Sequence, residues 1–474
     1  MKHQDLYETI RTYGRDTLPM HMPGHKRNTD LLGSDLPYGG DITEISGFDN
    51  LHAPEENGIL ARLSERAAAL YRAKRAFPLV NGTTCGILAA VRALAEPGQE
   101  ILVARNCHKS VYHAVELTGL RHVSLLPPID EKTGIYGSIR PADVREALAQ
   151  NPRVKTVVIT SPTYEGVLSD TDAIAEIAHA HGARLLVDAA HGAHLGFSGD
   201  FPAFPTSADI AVTSLHKTLP ALTQTALALV FSEDTALADR LARELSVFET
   251  SSPSYILLAS IDRCISLLES RAEKLFDDYK FRLDVFREKC ASLKHLWVIR
   301  GDRGTHPDFY DFDPGKLMIL SRSTALTGTA LADRLRNDFS IECEMAYADY
   351  VLCMTSICDT DESFMLLSFA LQQLDASVKN ASEGTSDGAS IKKSPPSFIK
   401  KASVSTELPE IKMTLSEAVS LPPAPMRAGE ISRTYAWVYP PGVPLIVPGE
   451  TVTEETLALL ERLKAAGLSV KIGR

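Results

Sequence analysis

Apolar positions recur at helical spacing through ARLSERAAALYRAK (61–74) and again through GILAAVRALA (86–95), so both segments are expected to be amphipathic helices. Short apolar runs follow at EILVARN (100–106), VKTVVITSP (154–162), ARLLVDAA (183–190), DIAVTS (209–214) and ALALVFS (226–232). Each reads as a buried strand. Strands rich in Val, Ile and Leu that alternate with helical segments predict an α/β fold with a mostly parallel sheet covered on both faces. Ligands bind such sheets beyond the carboxyl ends of the strands, so the residues just after each run are the candidates for chemistry.

Farther along, the helical signal lengthens from about Glu233 to Ala291, and weaker alternation to residue 376 suggests a smaller α+β unit. Residues 377–412 are rich in Ser, Lys, Gly and Pro and read as a surface linker. The expected division is an N-terminal segment 1–60, a large domain 61–290, a small α+β domain 291–376, the linker 377–412 and a C-terminal α+β domain 413–474.

Composition narrows the function classes without choosing one. The 474 residues carry 49 Lys+Arg against 60 Asp+Glu, a net charge of −11 that disfavours nucleic acid and anionic membrane as partners. The seven cysteines are scattered without C-x-x-C spacing and are expected to be reduced thiols, with no zinc site. The N-terminus has no apolar signal region and no stretch is apolar enough to span a bilayer, so the expected location is the cytoplasm.

Four strand-end features carry candidate chemistry. In TSLHKTL (213–219), Lys217 presents an amine at a strand end, with Ser214 and His216 as hydrogen-bond donors beside it. In LLVDAAHGAH, Asp188 closes a strand and could pair with a protonated ring nitrogen; the alternative is a turn cap. In FPLVNGTTCGI (77–87), Gly82, Thr83 and Thr84 open a helix where a phosphate would be welcome, although an ordinary helix start is the plainer reading. In ARNCHKSVYHA, His108 follows a strand and could stack on a planar ring or serve as a structural hydrogen-bonder. Phosphate cradle, stacking His, ring-nitrogen Asp and amine-bearing Lys together meet the needs of pyridoxal 5′-phosphate (PLP).

With those residues stand longer matches: HMPGHKR (21–27), DITEISGFDNLHAPE (41–55), TSPTYEGVLSD (160–170), SLHKTLPALTQTA (214–226), TSSPSY (250–255) and YPPGVPLIVPGE (439–450). In these the chain resembles the bacterial ornithine/lysine/arginine decarboxylases, in a short form lacking an N-terminal receiver-like domain. The resemblance implies a PLP-dependent enzyme of the aspartate-aminotransferase fold (fold type I) that decarboxylates arginine, lysine or ornithine. It implies a Schiff base on Lys217, Asp188 at the pyridine nitrogen, His108 on the ring and His191 on the phenolic-oxygen side. Ser214, His216, Thr83 and Thr84 would bind the phosphate. A homodimer or larger homo-oligomer is also implied, with Ser252 in TSSPSY and part of the N-terminal segment serving the neighbouring subunit's site. The chain departs from the family pattern at Ala189, where Glu is common, and at Glu165, where Tyr is usual. For the cationic end of the substrate, Glu450 is a candidate anchor, or else a cap for the final helix beside Thr451 and Thr453. An aminotransferase or aldolase on the same fold would call for an arginine clamp on the substrate carboxylate. A non-catalytic homologue would have no need of Lys217, Asp188 and His108.

Overall fold

The computed structural model describes residues 5–44, 48–301, 304–321, 326–377 and 404–473. Most of the expected linker lies outside them. The chain forms strands β1 (Arg75–Leu79), β2 (Glu100–Ala104), β3 (Arg121–Leu125), β4 (Val154–Thr160), β5 (Val167–Leu168), β6 (Arg184–Asp188), β7 (Ile210–Ser214) and β8 (Ala226–Val230), of which β2, β4, β6, β7 and β8 are the five apolar runs. Seven of these build one sheet in the order β1-β8-β7-β6-β4-β2-β3. Leu185, Leu186 and Val187 of β6, like Ile210, Ala211 and Val212 of β7, are wholly buried, as strands covered on both faces require.

The sheet is mostly parallel as expected, with one strand direction added by the structure, and one sequence expectation needs correction. Strand β8 pairs antiparallel with both β7 and β1, while the other pairings are parallel. The connection Leu215–Thr225 is too short for the crossover that a parallel strand demands, so the chain turns back instead. The correction is that the long helix expected from Glu233 is two helices, Thr235–Phe248 and the 36-residue Tyr255–Cys290. The break falls at Glu249–Ser254, where Pro253 denies a backbone donor and Glu249 turns inward to accept the Val80 N–H at 2.7 Å.

The long helix leads from the large sheet to a small antiparallel one. Its strands are β9 (Trp297–Val298), β11 (Lys316–Leu320), β12 (Met345–Ala346) and β13 (Tyr350–Met354), while β10 (Asp311–Phe312) pairs with β5. A last antiparallel sheet holds β14 (Tyr435–Val438), β15 (Pro444–Ile446) and β16 (Val470–Gly473), packed on helix Glu454–Ala465. The two small sheets share one apolar cluster, in which Met318 and Leu352 meet Ala436, Ile446 and Leu460. Among the described residues no helix is long and apolar enough to cross a membrane, and none of the seven cysteines is in a disulfide.

Candidate active site

Strands β4, β6 and β7 end side by side, with Thr160 in register with Asp188 and Asp188 with Val212. Beyond that edge lies a cavity of about 610 Å³. It is lined by Gly82, Thr83, Thr84, His108, Asp188, His191, Ser214, His216 and Lys217, brought together from four segments of the chain. Lys217 Nζ lies 2.9 Å from His191 Nε2. Burial lowers the Lys217 ammonium below its ordinary value, against the pull of Asp188 and Glu344.

The other side chains are fixed by local bonds. His108 caps helix Lys109–Thr118, its Nδ1 accepting the Ser110 N–H at 3.2 Å, and burial with the Lys217 charge lowers its imidazole to about 3. It is therefore neutral. His216 Nδ1 donates to the Thr225 carbonyl at 2.9 Å. Asp188 accepts the Ala190 N–H at 3.1 Å; burial raises its carboxyl and Lys217 opposes the rise.

Several observations test whether PLP fits. Helix Gly82–Leu94 has no side-chain cap, because Asn81 Oδ1 accepts the Thr250 N–H at 3.2 Å. The Gly82 N–H donates to the Gln224 carbonyl at 2.9 Å, and the N–H groups of Thr83 and Thr84 behind it have no side-chain cap and face the cavity wall where an anion would be welcome. Gly82, with φ +74, supplies the left-handed turn that brings the helix start to the cavity. The hydroxyls of Thr83 and Ser214 are hydrogen-bonded to each other beside it. Asn106 Oδ1, buried at the same wall, has no protein partner. The donor set suits a phosphate, and the neutral His108 and acidic Asp188 suit a ring with a basic nitrogen.

The mouth is formed by the C-terminal unit, through Tyr439, Pro440, Pro441 and Val443. Gly442, at φ +82, lets that loop meet His108: a Cβ there would stand 3.0 Å from His108 Nε2. The Gly442 carbonyl accepts the Lys109 N–H at 3.1 Å, and Lys109 Nζ lies 4.7 Å from the Trp437 ring centroid. The Y-P-P-G-x-P motif thus braces His108.

Glu450 is corrected on both readings. It is fully buried away from the cavity, accepting from Arg105 Nη2 at 3.2 Å and from the Val447 N–H at 2.8 Å. The final helix is capped instead by Thr453, whose side chain accepts the Thr456 N–H. Ser252 is exposed on this chain and does not line the cavity. Ala189 is buried in the sheet, its N–H donating to Val212. Glu165 accepts the Tyr350 hydroxyl at 3.0 Å.

Sequence reading missed Lys316, Glu344 and Tyr164. Lys316 Nζ lies 3.2 Å from His191 Nδ1, and the Tyr164 ring centroid lies 4.5 Å from that of His191. The Tyr164 hydroxyl donates to Glu344, which lines the cavity with Tyr164. Lys316 and Glu344 come from the small sheet region and carry no local motif; only folding brings them to β6 and β7.

The architecture is fold type I, the fold of PLP-dependent enzymes, with a cavity at the strand ends of its sheet. A ureidoglycine–glyoxylate aminotransferase of Bacillus subtilis shares this architecture at TM-score 0.53 and 15% identity, over 67% of this chain and 86% of that one. The chain belongs to the Orn/Lys/Arg decarboxylase family: the major-domain model matches residues 20–318 and the C-terminal-domain model residues 405–470. It is 30% identical to the arginine decarboxylase of Bacillus subtilis (strain 168), covering 98% of this chain and 94% of the relative. The Francisella novicida lysine decarboxylase LdcF superposes at TM-score 0.78 with 20% identity, over 99% of this chain and 78% of that one. The chain is an amino-acid decarboxylase, and its family and fold imply PLP.

Proposed function

We propose that this enzyme removes the α-carboxylate of a basic amino acid as carbon dioxide, converting arginine to agmatine or lysine to cadaverine, with ornithine to putrescine as a third candidate. One observation carries the reading: an amine, a neutral imidazole, a buried acid and a phosphate-type cradle converge on one cavity from separate strand ends. The near-equal length of the Bacillus subtilis arginine decarboxylase places arginine first in the order of trial.

Lys217 would hold PLP through Nζ, Asp188 would pair with its ring nitrogen, and His108 would lie against the ring. Gly82, Thr83, Thr84, Ser214 and His216 would hold the phosphate, with His191 on the phenolic-oxygen side. When bound, the cofactor supplies a sink for the electrons released as the Cα–carboxylate bond breaks. Asp188 would keep that sink effective by favouring a protonated ring nitrogen. Tyr439, Pro440 and Pro441 line the cavity and would limit the access of water to it. Lys217, backed by His191, holds an exchangeable proton at the cavity wall.

Substrate charge needs a partner, because an unpaired buried cation is costly. Glu344 takes the part first given to Glu450: apart from Asp188 it is the carboxylate among the described cavity-lining residues. Ser252 would act in a neighbouring subunit of a homo-oligomer.

The test is reconstitution with PLP followed by separate trials of arginine, lysine and ornithine, measuring carbon dioxide and amine. The expected result is a visible absorption band that Lys217→Ala removes, and amine from at least one substrate. A colourless wild type overturns the cofactor assignment. A coloured protein that forms no amine from any of the three overturns the substrate assignment.

A further inference from the structure

His191 stands between two lysines, its Nε2 2.9 Å from Lys217 Nζ and its Nδ1 3.2 Å from Lys316 Nζ. Lys316 is buried at the start of β11, 3.8 Å from the Asp313 carboxylate, and the proposed chemistry gives it no task. The imidazole between them is neutral, since burial and both lysines lower it well below its ordinary value. A neutral imidazole offers one N–H and one lone pair. It can accept from one lysine while donating to the other, and the lysine that accepts its N–H must be a free amine, so a proton held by the lysine on the opposite side has a place to go.

We propose that Lys316 is a positioning residue that exchanges a proton with Lys217 through His191, freeing the Lys217 amine for reaction and returning its proton afterwards. The transfer balances: Lys217 Nζ gives a proton to His191 Nε2, and His191 Nδ1 gives one to Lys316 Nζ. One ammonium is lost, one is formed, and the imidazole ends as its other tautomer. The reverse shift restores the start.

The surrounding charges support such exchange. Lys217 faces Asp188 and Glu344, with His108 and His216 nearby; Lys316 faces Asp313, Glu165 and Glu344. Burial lowers Lys316 to about 8, Asp313 opposing and Lys217 reinforcing the shift, so both lysines sit below an ordinary lysine. Asp313 is held as a carboxylate: burial pushes it up, but His194, bonded at 3.0 Å, and Lys316 overcome that. The anion needed to steady a proton on Lys316 is present.

The inference rests on Lys217 being the reactive amine. Its test reads Lys217 without turnover: the full chain, stripped of cofactor, is labelled competitively with acetic anhydride across a pH series, and the Lys217 peptide is quantified by mass spectrometry. Lys316→Met removes both the proton acceptor and the competing charge, so the Lys217 midpoint should rise by about one pH unit or more. Lys316→Arg fixes a charge that never leaves, so the midpoint should fall by a similar amount. Either variant, if folded by thermal melting, decides alone. An unchanged midpoint in it overturns the relay, as simple burial of Lys217 would predict. The rate of PLP capture, followed by absorbance, should move with the midpoint. Failure of wild type to capture PLP at all would instead overturn the reading of Lys217.

Discussion

Arg105 and Lys217 each follow a strand of the same sheet and each meets groups from a distant part of the chain, yet the two charge clusters are built on opposite rules. Arg105, 1% exposed, is matched: it donates to Glu450, 0% exposed, and to the carbonyls of Pro444 and Leu445 at 3.1 and 2.9 Å. Lys217 is mismatched, sharing one neutral imidazole with a second lysine. Matched charge ties the C-terminal sheet to β2 and holds the loop that braces His108. Mismatched charge keeps protons exchangeable, which suits a reacting amine.

The contrast is sharpest in paired variants. Lys217→Met should cut decarboxylation by about 10³-fold or more while leaving the melting temperature equal or higher, because it removes a poorly compensated cation. A marked fall in melting temperature would place Lys217 with Arg105 as an architectural charge. Glu450→Ala should do the reverse, costing about 3–5 kcal/mol of stability in urea titrations by stranding Arg105 in the interior. A cost below about 1 kcal/mol would break the comparison.

Glu249 offers an intermediate case, a buried carboxyl held by backbone N–H groups and in no ion pair among the described residues. Burial lifts it to about 7 against the N–H groups of Val80 and Asn81. The folded chain therefore holds this proton more tightly than the unfolded chain. Its contribution to stability is full below about pH 4.5 and is lost as pH rises to about 7, a swing of at most about 3 kcal/mol. Glu249→Gln should flatten that part of the stability profile in chemical denaturation; an unaltered slope would show the carboxyl to be solvated.

The smallest effect is expected at Gly442→Ala. A Cβ at φ +82 costs about 1–2 kcal/mol and crowds His108. PLP affinity, measured by absorbance titration, should fall by about tenfold, the equivalent of 1.4 kcal/mol. Unchanged affinity would separate the loop from the cofactor site.

Within the sheet, sequence pattern was a good guide where strands are uniformly apolar. It overlooked β3, because RHVSL places His122 and Ser124 where a buried strand would carry apolar side chains. It also left the direction of β8 undecided, since an apolar run has no polarity; the short Leu215–Thr225 connection settles that only once the turn is seen.

Local order along the chain by itself determined the strand-end residues Asp188, His108, Ser214 and Lys217 and the helix start at Gly82, because an apolar run followed by a polar group marks both a strand and its edge. Tertiary structure alone decided the partners of those residues. From the small sheet region Glu344 reaches the cavity and Lys316 reaches His191, and Glu450 is drawn off to Arg105. Sequence records which groups carry charge; only folding sets which opposite charge, if any, each one meets, and that pairing separates a structural ion pair from an exchangeable proton.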